Sequence, residues 1–278
     1  MRQNYKFQLN IIHGFVYAFL LMFAAVMVMP FIWMLLNSFK SQAEIISINS
    51  FLPKVWTIKN YINVFQTVPI IRWFFNSTAV TVSGTTIVLF SSTLIGFVFA
   101  KYSFRFKNLL FMILIATIMV PPQTTMIPSF LMVDRLYLYD KLPSLVIPGM
   151  VSAFGVFLAR QFIEDIPNSL CEAARIDGAT DFYIYFRIIL PLIRPAIGAL
   201  AIFMFLMFWN EYMLPLLYIN RIEGMTMPLA IAFFHDQRKA DNGAIMAAAT
   251  LVMLPVTVIF FLFQKQFIKG VAMTGMKS

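Results

Sequence analysis

Six long runs with almost no charge dominate the chain. They lie at 7–39, 73–100, 108–133, 142–159, 195–220 and 242–264, and Glu211 is the one charge inside the fifth of them. A helix that crosses a bilayer needs about 20 apolar residues. All six runs are long enough, although 142–159 is the shortest and carries Pro143 and Pro148 near its start. The expected spans are roughly 12–37, 74–100, 108–130, 143–161, 192–217 and 244–264. The fold class is therefore all-α, a polytopic membrane protein of six helices. The first run is too long for a signal-peptide core and lacks a small-x-small cleavage site, so it reads as a retained span. Composition agrees: 12% of residues are charged, against about 25% in a soluble domain.

An even number of spans puts both termini on one side. If that side is the cytoplasm, the inner segments hold 12 Lys and Arg and the outer ones 9. The bias is sharpest in the tight Lys101–Lys107 turn and at the termini, so positive charge points to cytoplasmic ends. The net charge of +9 then reflects anchoring at the membrane and not nucleic-acid binding. The outer segments become 38–73, 131–142 and 218–243. Trp56 and Trp73 in the first fit interfacial anchoring. The third reads as a short helix with a charged end from His235 to Asp241.

The longest inner segment, 162–191, is the most structured polar stretch. Ile166-Pro167 marks a break. Ser169-x-x-Glu172 fits a capping box, and Leu170–Asp177 gives about two turns. Gly178 is placed to end them in the left-handed conformation. Thr180-Asp181 can cap a second helix, along which Phe182, Phe186 and Ile189 form an apolar stripe. Pro191 and Pro195 sit near the start of the fifth span. The first of these helices is too short to be stable alone in water. It must dock, either in a groove on a partner, which its narrow Ala173-Ala174 face suits, or under its own membrane helices.

Glu172-Ala173-Ala174, three residues, Gly178, nine residues, then Ile188-Ile189-Leu190-Pro191 resembles the EAA signature of permease subunits of binding-protein-dependent ABC importers. Phe157–Phe162, Ala173–Ala179, Trp209-Asn210-Glu211 and Phe267–Gly270 are similar to the carbohydrate-uptake branch, close to the second permease of maltose, lactose and glycerol-phosphate systems. The resemblance implies a type I ABC importer permease fold. It implies a coupling helix seated on an ATPase, with Glu172, Ala173, Ala174, Asp177, Gly178, Leu190 and Pro191 in the coupling loop. The implied partners are a second permease, two cytoplasmic ATPase subunits and an extracytoplasmic substrate-binding protein. ATP and Mg would sit on the ATPase, and the membrane would be the plasma membrane of a bacterium or archaeon. The expected cargo is a sugar or oligosaccharide, with a polyol or glycerol phosphate as the alternative.

The residues support this division independently. The chain has no GxxxxGK[ST] phosphate loop, so ATP has no visible place to bind on it. An autonomous secondary transporter would carry several intramembrane charges, and only Glu211 is available. A membrane enzyme would need a nucleophile–base pair or metal cluster, and His13 and His235 are far apart. No cofactor or metal is expected on this chain. Asn210 and Glu211 are expected on the translocation path or in a hydrogen bond to a neighbouring helix end. Gln123 and Thr124, after Pro121-Pro122, mark a broken helix end that can line a cavity. Ser92-Gly96-Ala100 and Gly155-Ala159 allow close helix packing, within this chain or between subunits. Cys171 reads as a small packing residue.

Overall fold

The structure, a computed structural model, describes residues 2–47, 50–237 and 241–275. Every regular element among them is helical. In chain order they are α1 (Arg2–Ser38), α2 (Gln42–Ser47), α3 (Lys59–Thr67), α4 (Ile70–Lys101), α5 (Lys107–Ala116), α6 (Pro122–Arg135), α7 (Ala153–Glu164), α8 (Asn168–Ile176), α9 (Asp181–Ile184), α10 (Leu190–Leu192), α11 (Arg194–Trp209), α12 (Met213–Tyr218), α13 (Met227–Gln237) and α14 (Asn242–Gly275). The charged end expected from His235 to Asp241 falls, as far as position 240, on side chains and residues outside those described, while Asp241 Oδ1 accepts the Ala244 amide at 3.0 Å.

Three stretches are each long and apolar enough to cross a membrane: His13–Ser38, Ile70–Lys101 and Asn242–Leu262. Three more arise from bent pairs: Lys107–Met119 with Pro122–Arg135, Leu142–Gly149 with Ala153–Glu164, and Asp181–Leu192 with Arg194–Trp209. Counted as one span each, the bent pairs bring the number to six. The break expected after Pro121-Pro122 is present, and two further spans are bent as well. Span 108–130 turns by 104° at Pro121-Pro122. Val120 is pushed to an extended ψ of 117° and Pro121 to 131°, because a residue before proline avoids the helical region. Span 143–161 is helical only from Ala153, after two 3-10 turns around Pro143 and Pro148, and bends by 48°. Span 192–217 stops at Trp209 and restarts at Met213.

The chain groups into two compact units, Met1–Val68 with Ile231–Met253, and Pro69–Ala230 with Leu254–Ser278. In the first, α1 leaves its apolar side chains uncovered from Phe15 to Leu35, as a helix facing hydrocarbon does. The segment after it folds back onto the helix end. Asn60 Nδ2 donates to the carbonyls of Ser38 and Lys40, both at 2.8 Å, and the Ser38 and Tyr61 hydroxyls lie 2.7 Å apart.

The second unit is built on α4 crossing α7. A Cβ added at Gly96 would stand 2.8 Å from Ala159 Cβ and 2.9 Å from the Arg160 amide nitrogen. One at Gly155 would overlap Ser92 Oγ. The small residues singled out in the sequence therefore bring two helices of this same chain together, which is the intrachain alternative. Higher on α4, Gly84 leaves room for the Phe208 ring from α11.

Near the first residues of α4, two loops are tied by Asp140. Its Oδ1 accepts the amides of Asn220 and Arg221 at 3.0 Å, and Oδ2 pairs with Arg221 Nε at 2.7 Å. Burial opposes ionisation, but the two amides and the guanidinium outweigh it and hold the carboxyl below the usual range. A depressed carboxylate stabilises the folded state above its unfolded value, about pH 4, and the contribution disappears as pH falls through the folded value. Arg221 is 63% exposed, so the contribution is under about 1 kcal/mol. The thermal midpoint of Asp140→Asn in detergent is expected to lie slightly below wild type at pH 7 and to converge with it as pH falls through the lowered folded value of Asp140. A constant offset across that window would exclude this assignment.

Candidate functional site

Loop 162–191 leaves the bundle after α7 and returns at α11. Pro167 adopts φ −57° and ψ 136° and turns the chain directly into α8, which starts at Asn168. The capping box expected from Ser169 and Glu172 does not form, and no side chain caps this helix. Proline sets the start early enough to place Ser169 inside the first turn.

The end of α8 follows the expectation. Gly178 sits at φ +81°. Its amide donates to the Arg175 carbonyl at 3.0 Å, and the Ala179 amide to the Ala174 carbonyl at 2.9 Å. These two bonds define a Schellman motif, which needs a residue that tolerates the left-handed region. Thr180 Oγ1 then accepts the Tyr183 amide at 3.3 Å and caps the next helix.

That helix is not regular. Between α9 and α10 it passes through a π turn at Tyr185–Ile189, closed by the Leu190 amide to the Tyr185 carbonyl. A π turn inserts one residue and rotates the helix beyond it. The expected stripe is corrected accordingly. Ile189 is buried, but Phe182 is 67% and Phe186 50% exposed, and the inward side chains are Ile184, Tyr185, Ile189 and Ile193. At Ile193 the chain bends by 81° into α11. Pro195 has no amide hydrogen for the Pro191 carbonyl, four residues back, and its ring crowds that position.

The loop thus has two faces. Cys171, Ile184, Tyr185, Ile189 and Ile193 form one cluster with Phe97, Ala159 and Ile163 of α4 and α7, and Ala174 and Leu190 pack against it. Cys171 is the packing residue expected, though not beside a capping box. Glu172, Ala173, Asp177, Gly178 and Pro191 are exposed. Beside them Ile176 is 87% exposed, a large apolar side chain left uncovered on a two-turn helix. Nothing in the residue pattern singles it out.

Several polar contacts hold the loop. Arg175 pairs with Asp181 at 3.1 Å and its guanidinium lies 5.5 Å from the centre of the Tyr102 ring. The Tyr102 hydroxyl, and then Arg175, hold the Asp181 carboxyl below the usual range. Burial pushes the Tyr102 phenol up, and the bond to Asp181 adds to it. Lys101 Nζ donates to the Ile166 carbonyl and, at 3.0 Å, to Asn168 Oδ1. The Thr93 and Tyr185 hydroxyls meet at 2.7 Å in the interior. The contacts of Lys101, Tyr102, Thr93 and Tyr185 carried no sequence signal, because the Lys101–Ile166 and Thr93–Tyr185 pairs are 65 and 92 residues apart along the chain.

The other candidates are not near this loop in sequence or role. Glu211 lies in the gap between α11 and α12 and not inside a helix. Its Oε1 accepts the amides of Met213 and Leu214 at 2.9 and 3.0 Å, satisfying the free donors of a helix start. Asn210 Nδ2 donates back to the Leu206 carbonyl at 2.9 Å. Thr124 Oγ1 donates to the Pro121 carbonyl at 2.7 Å, and Gln123 is exposed beside it. Among the described residues no group of His, Cys, Asp or Glu could hold a metal ion.

Residues 92–273, which include the whole of this loop, match the family described as the binding-protein-dependent transport system inner membrane component. The chain belongs to that family. The permease is 34% identical over 263 residues to the arabinooligosaccharides transport system permease protein AraQ of Bacillus subtilis, across 93% of this chain and 94% of that protein. It is 30% identical over 254 residues to the diacetylchitobiose uptake system permease protein NgcG of Streptomyces coelicolor, across 90% and 84%. Its fold is similar to a chain in the crystal structure of a bacterial ABC transporter involved in the import of the acidic polysaccharide alginate. There the TM-score is 0.80 at 25% identity, covering 92% of this chain and 96% of that one. The permease therefore has the type I ABC importer fold, and the family that the Glu172–Pro191 spacing pointed to is the family found.

Proposed function

We propose that the permease carries a sugar or oligosaccharide across the plasma membrane, driven by ATP hydrolysed on a separate subunit that seats on α8. The observation that carries this reading is the split character of α8. Cys171 and Ala174 anchor it to its own bundle, while Glu172, Ala173, Ile176, Asp177 and Gly178 face outward. An uncovered isoleucine among small residues fits a shallow apolar cleft on a partner, and the neighbouring Glu172 and Asp177 supply charged edges. Leu190 and Pro191 set the second helix behind it. Both termini and loop 162–191 are assigned to the cytoplasmic side, supported by the bias of Lys and Arg.

The cargo is argued from relatives whose names specify arabino-oligosaccharides, diacetylchitobiose and lactose. A solved alginate transporter of the same fold is in complex with a pentasaccharide-bound periplasmic protein. An external binding protein, a second permease and a pair of ATPases with ATP and Mg complete the assembly. The breaks at Pro121-Pro122 and at 210–212 fall within spans expected from the sequence, and irregular backbone inside a membrane is tolerated where it lines water or is buried in protein. We assign Gln123, Thr124, Asn210 and Glu211 to the path on that ground.

The test is purification of the chain from its natural source with whatever binds it, followed by reconstitution in vesicles. An ATP-hydrolysing subunit is expected to co-purify. Uptake of oligosaccharide, but not of glycerol phosphate, is expected to need both ATP and the loaded binding protein. Uptake by the chain alone, driven by an ion gradient, would contradict the reading.

A further inference from the structure

The helix α8 is poorly equipped to hold its own position. It is nine residues long with no side chain capping its start, and it buries one side chain, Cys171. Helices this short are marginal in water, and two small side chains give a contact that can slide. What fixes α8 comes from the last turn of α4 and the residue after it. Lys101 reaches its beginning, donating to the Ile166 carbonyl and to Asn168 Oδ1 at 3.0 Å. Tyr102, the next residue, reaches its end, with its ring centre 5.5 Å from the guanidinium of Arg175, which itself pairs with Asp181 at 3.1 Å. Adjacent residues thus hold opposite ends of α8. Further along α4, Thr93 bonds Tyr185 in the π turn at 2.7 Å, and Gly96 seats α4 against the backbone of α7.

We infer that Lys101 and Tyr102 are positioning residues that make α8 and α4 move as one body, so that displacement of α8 by its partner is passed to α4 and from α4 to α7. This rests on the reading of α8 as the ATPase-docking helix. Neither residue would touch ATP or sugar. Their role is to transmit a displacement that a loosely held α8 would absorb by sliding over Cys171 and Ala174. Two sites count as coupled only through an element whose arrangement both of them bias, and the rigid turn of α4 is that element here.

The experiment uses the complete reconstituted assembly with its binding protein. Lys101→Met, Tyr102→Leu and the double variant are compared with Lys101→Arg, which keeps the donor. The readouts are co-elution of the ATPase, basal ATP hydrolysis, and sugar taken up per ATP hydrolysed. Co-elution and basal hydrolysis are expected to stay within about twofold, while uptake per ATP falls about tenfold in the double variant, inside the range of ordinary coupling energies. Lys101→Arg should recover most of it. Unchanged uptake per ATP in the double variant would overturn the inference, and so would loss of the ATPase from the assembly, which would make these residues part of the docking fold alone. If the double variant fails to accumulate, Lys101→Met alone, which removes only the donor to Ile166 and Asn168, decides through the same ratio. A wild-type assembly without any co-purifying ATPase would instead defeat the docking reading itself.

Discussion

Replacing Gly178 by valine is expected to lower coupled transport at least tenfold while the chain still inserts and accumulates normally. The cause is backbone conformation and not crowding. A Cβ at this position meets nothing within 4 Å, but φ is +81°. An L-residue in the left-handed region costs about 1–2 kcal/mol, and a β-branched one is a clear outlier there. The strain is relieved by opening the turn. That breaks the bonds from Gly178 to Arg175 and from Ala179 to Ala174 and releases the end of α8. A loss of about 1.4 kcal/mol makes the docked geometry tenfold rarer. Asparagine tolerates this region, so Gly178→Asn should retain most of the activity. Transport per chain, with yield as the control, checks both. Equal loss in valine and asparagine variants would show that the backbone is not the reason.

Gly96→Leu should act on assembly and not on coupling. Its Cβ would already lie 2.8 Å from Ala159 Cβ and 2.9 Å from a main-chain nitrogen of α7. Backbone cannot rotate away as a side-chain tip can, so α4 and α7 must separate. Overpacking of this kind costs about 1–3 kcal/mol, sometimes more. The separation would also open the cluster of Phe97, Ala159, Ile163 and Tyr185. A lower thermal midpoint and reduced recovery of monodisperse protein are the expected results in detergent. Gly14→Leu is the control, since a Cβ there meets nothing within 4 Å. Matching stability in the two variants would mean that the α4–α7 crossing does not depend on small residues.

The six spans were legible because charge-free length is the strongest signal a membrane chain carries. Apart from the break marked by Pro121-Pro122, their bends were not. Hydropathy reports composition and says nothing about direction, so Pro121-Pro122 and Pro195 were the only marks of the 104° and 81° bends. Gly178 was legible because glycine readily takes the left-handed conformation that ends many helices. The Phe182–Phe186 stripe failed because the π turn at Tyr185–Ile189 changes which side chains face inward, and no residue pattern announces such a turn. The capping box failed because Pro167 starts α8 ahead of Ser169. Glu211 looked like a charge buried in a span, and the backbone breaks there and uses its carboxylate for the amides of Met213 and Leu214. Lys101 and Tyr102 were invisible for a simpler reason: their partners come from a loop more than 60 residues away in sequence.

Everything proposed for transport depends on the outward face of α8 seating on a separate ATPase. Photo-crosslinking from an unnatural residue at position 176 in the native membrane probes that contact, because Ile176 is 87% exposed and stands outside the chain's own cluster. The expected product is a crosslink to a peripheral ATP-hydrolysing subunit whose yield changes when ATP is added. Crosslinks confined to lipid or to this chain itself, with none to a second protein under any nucleotide condition, would contradict it.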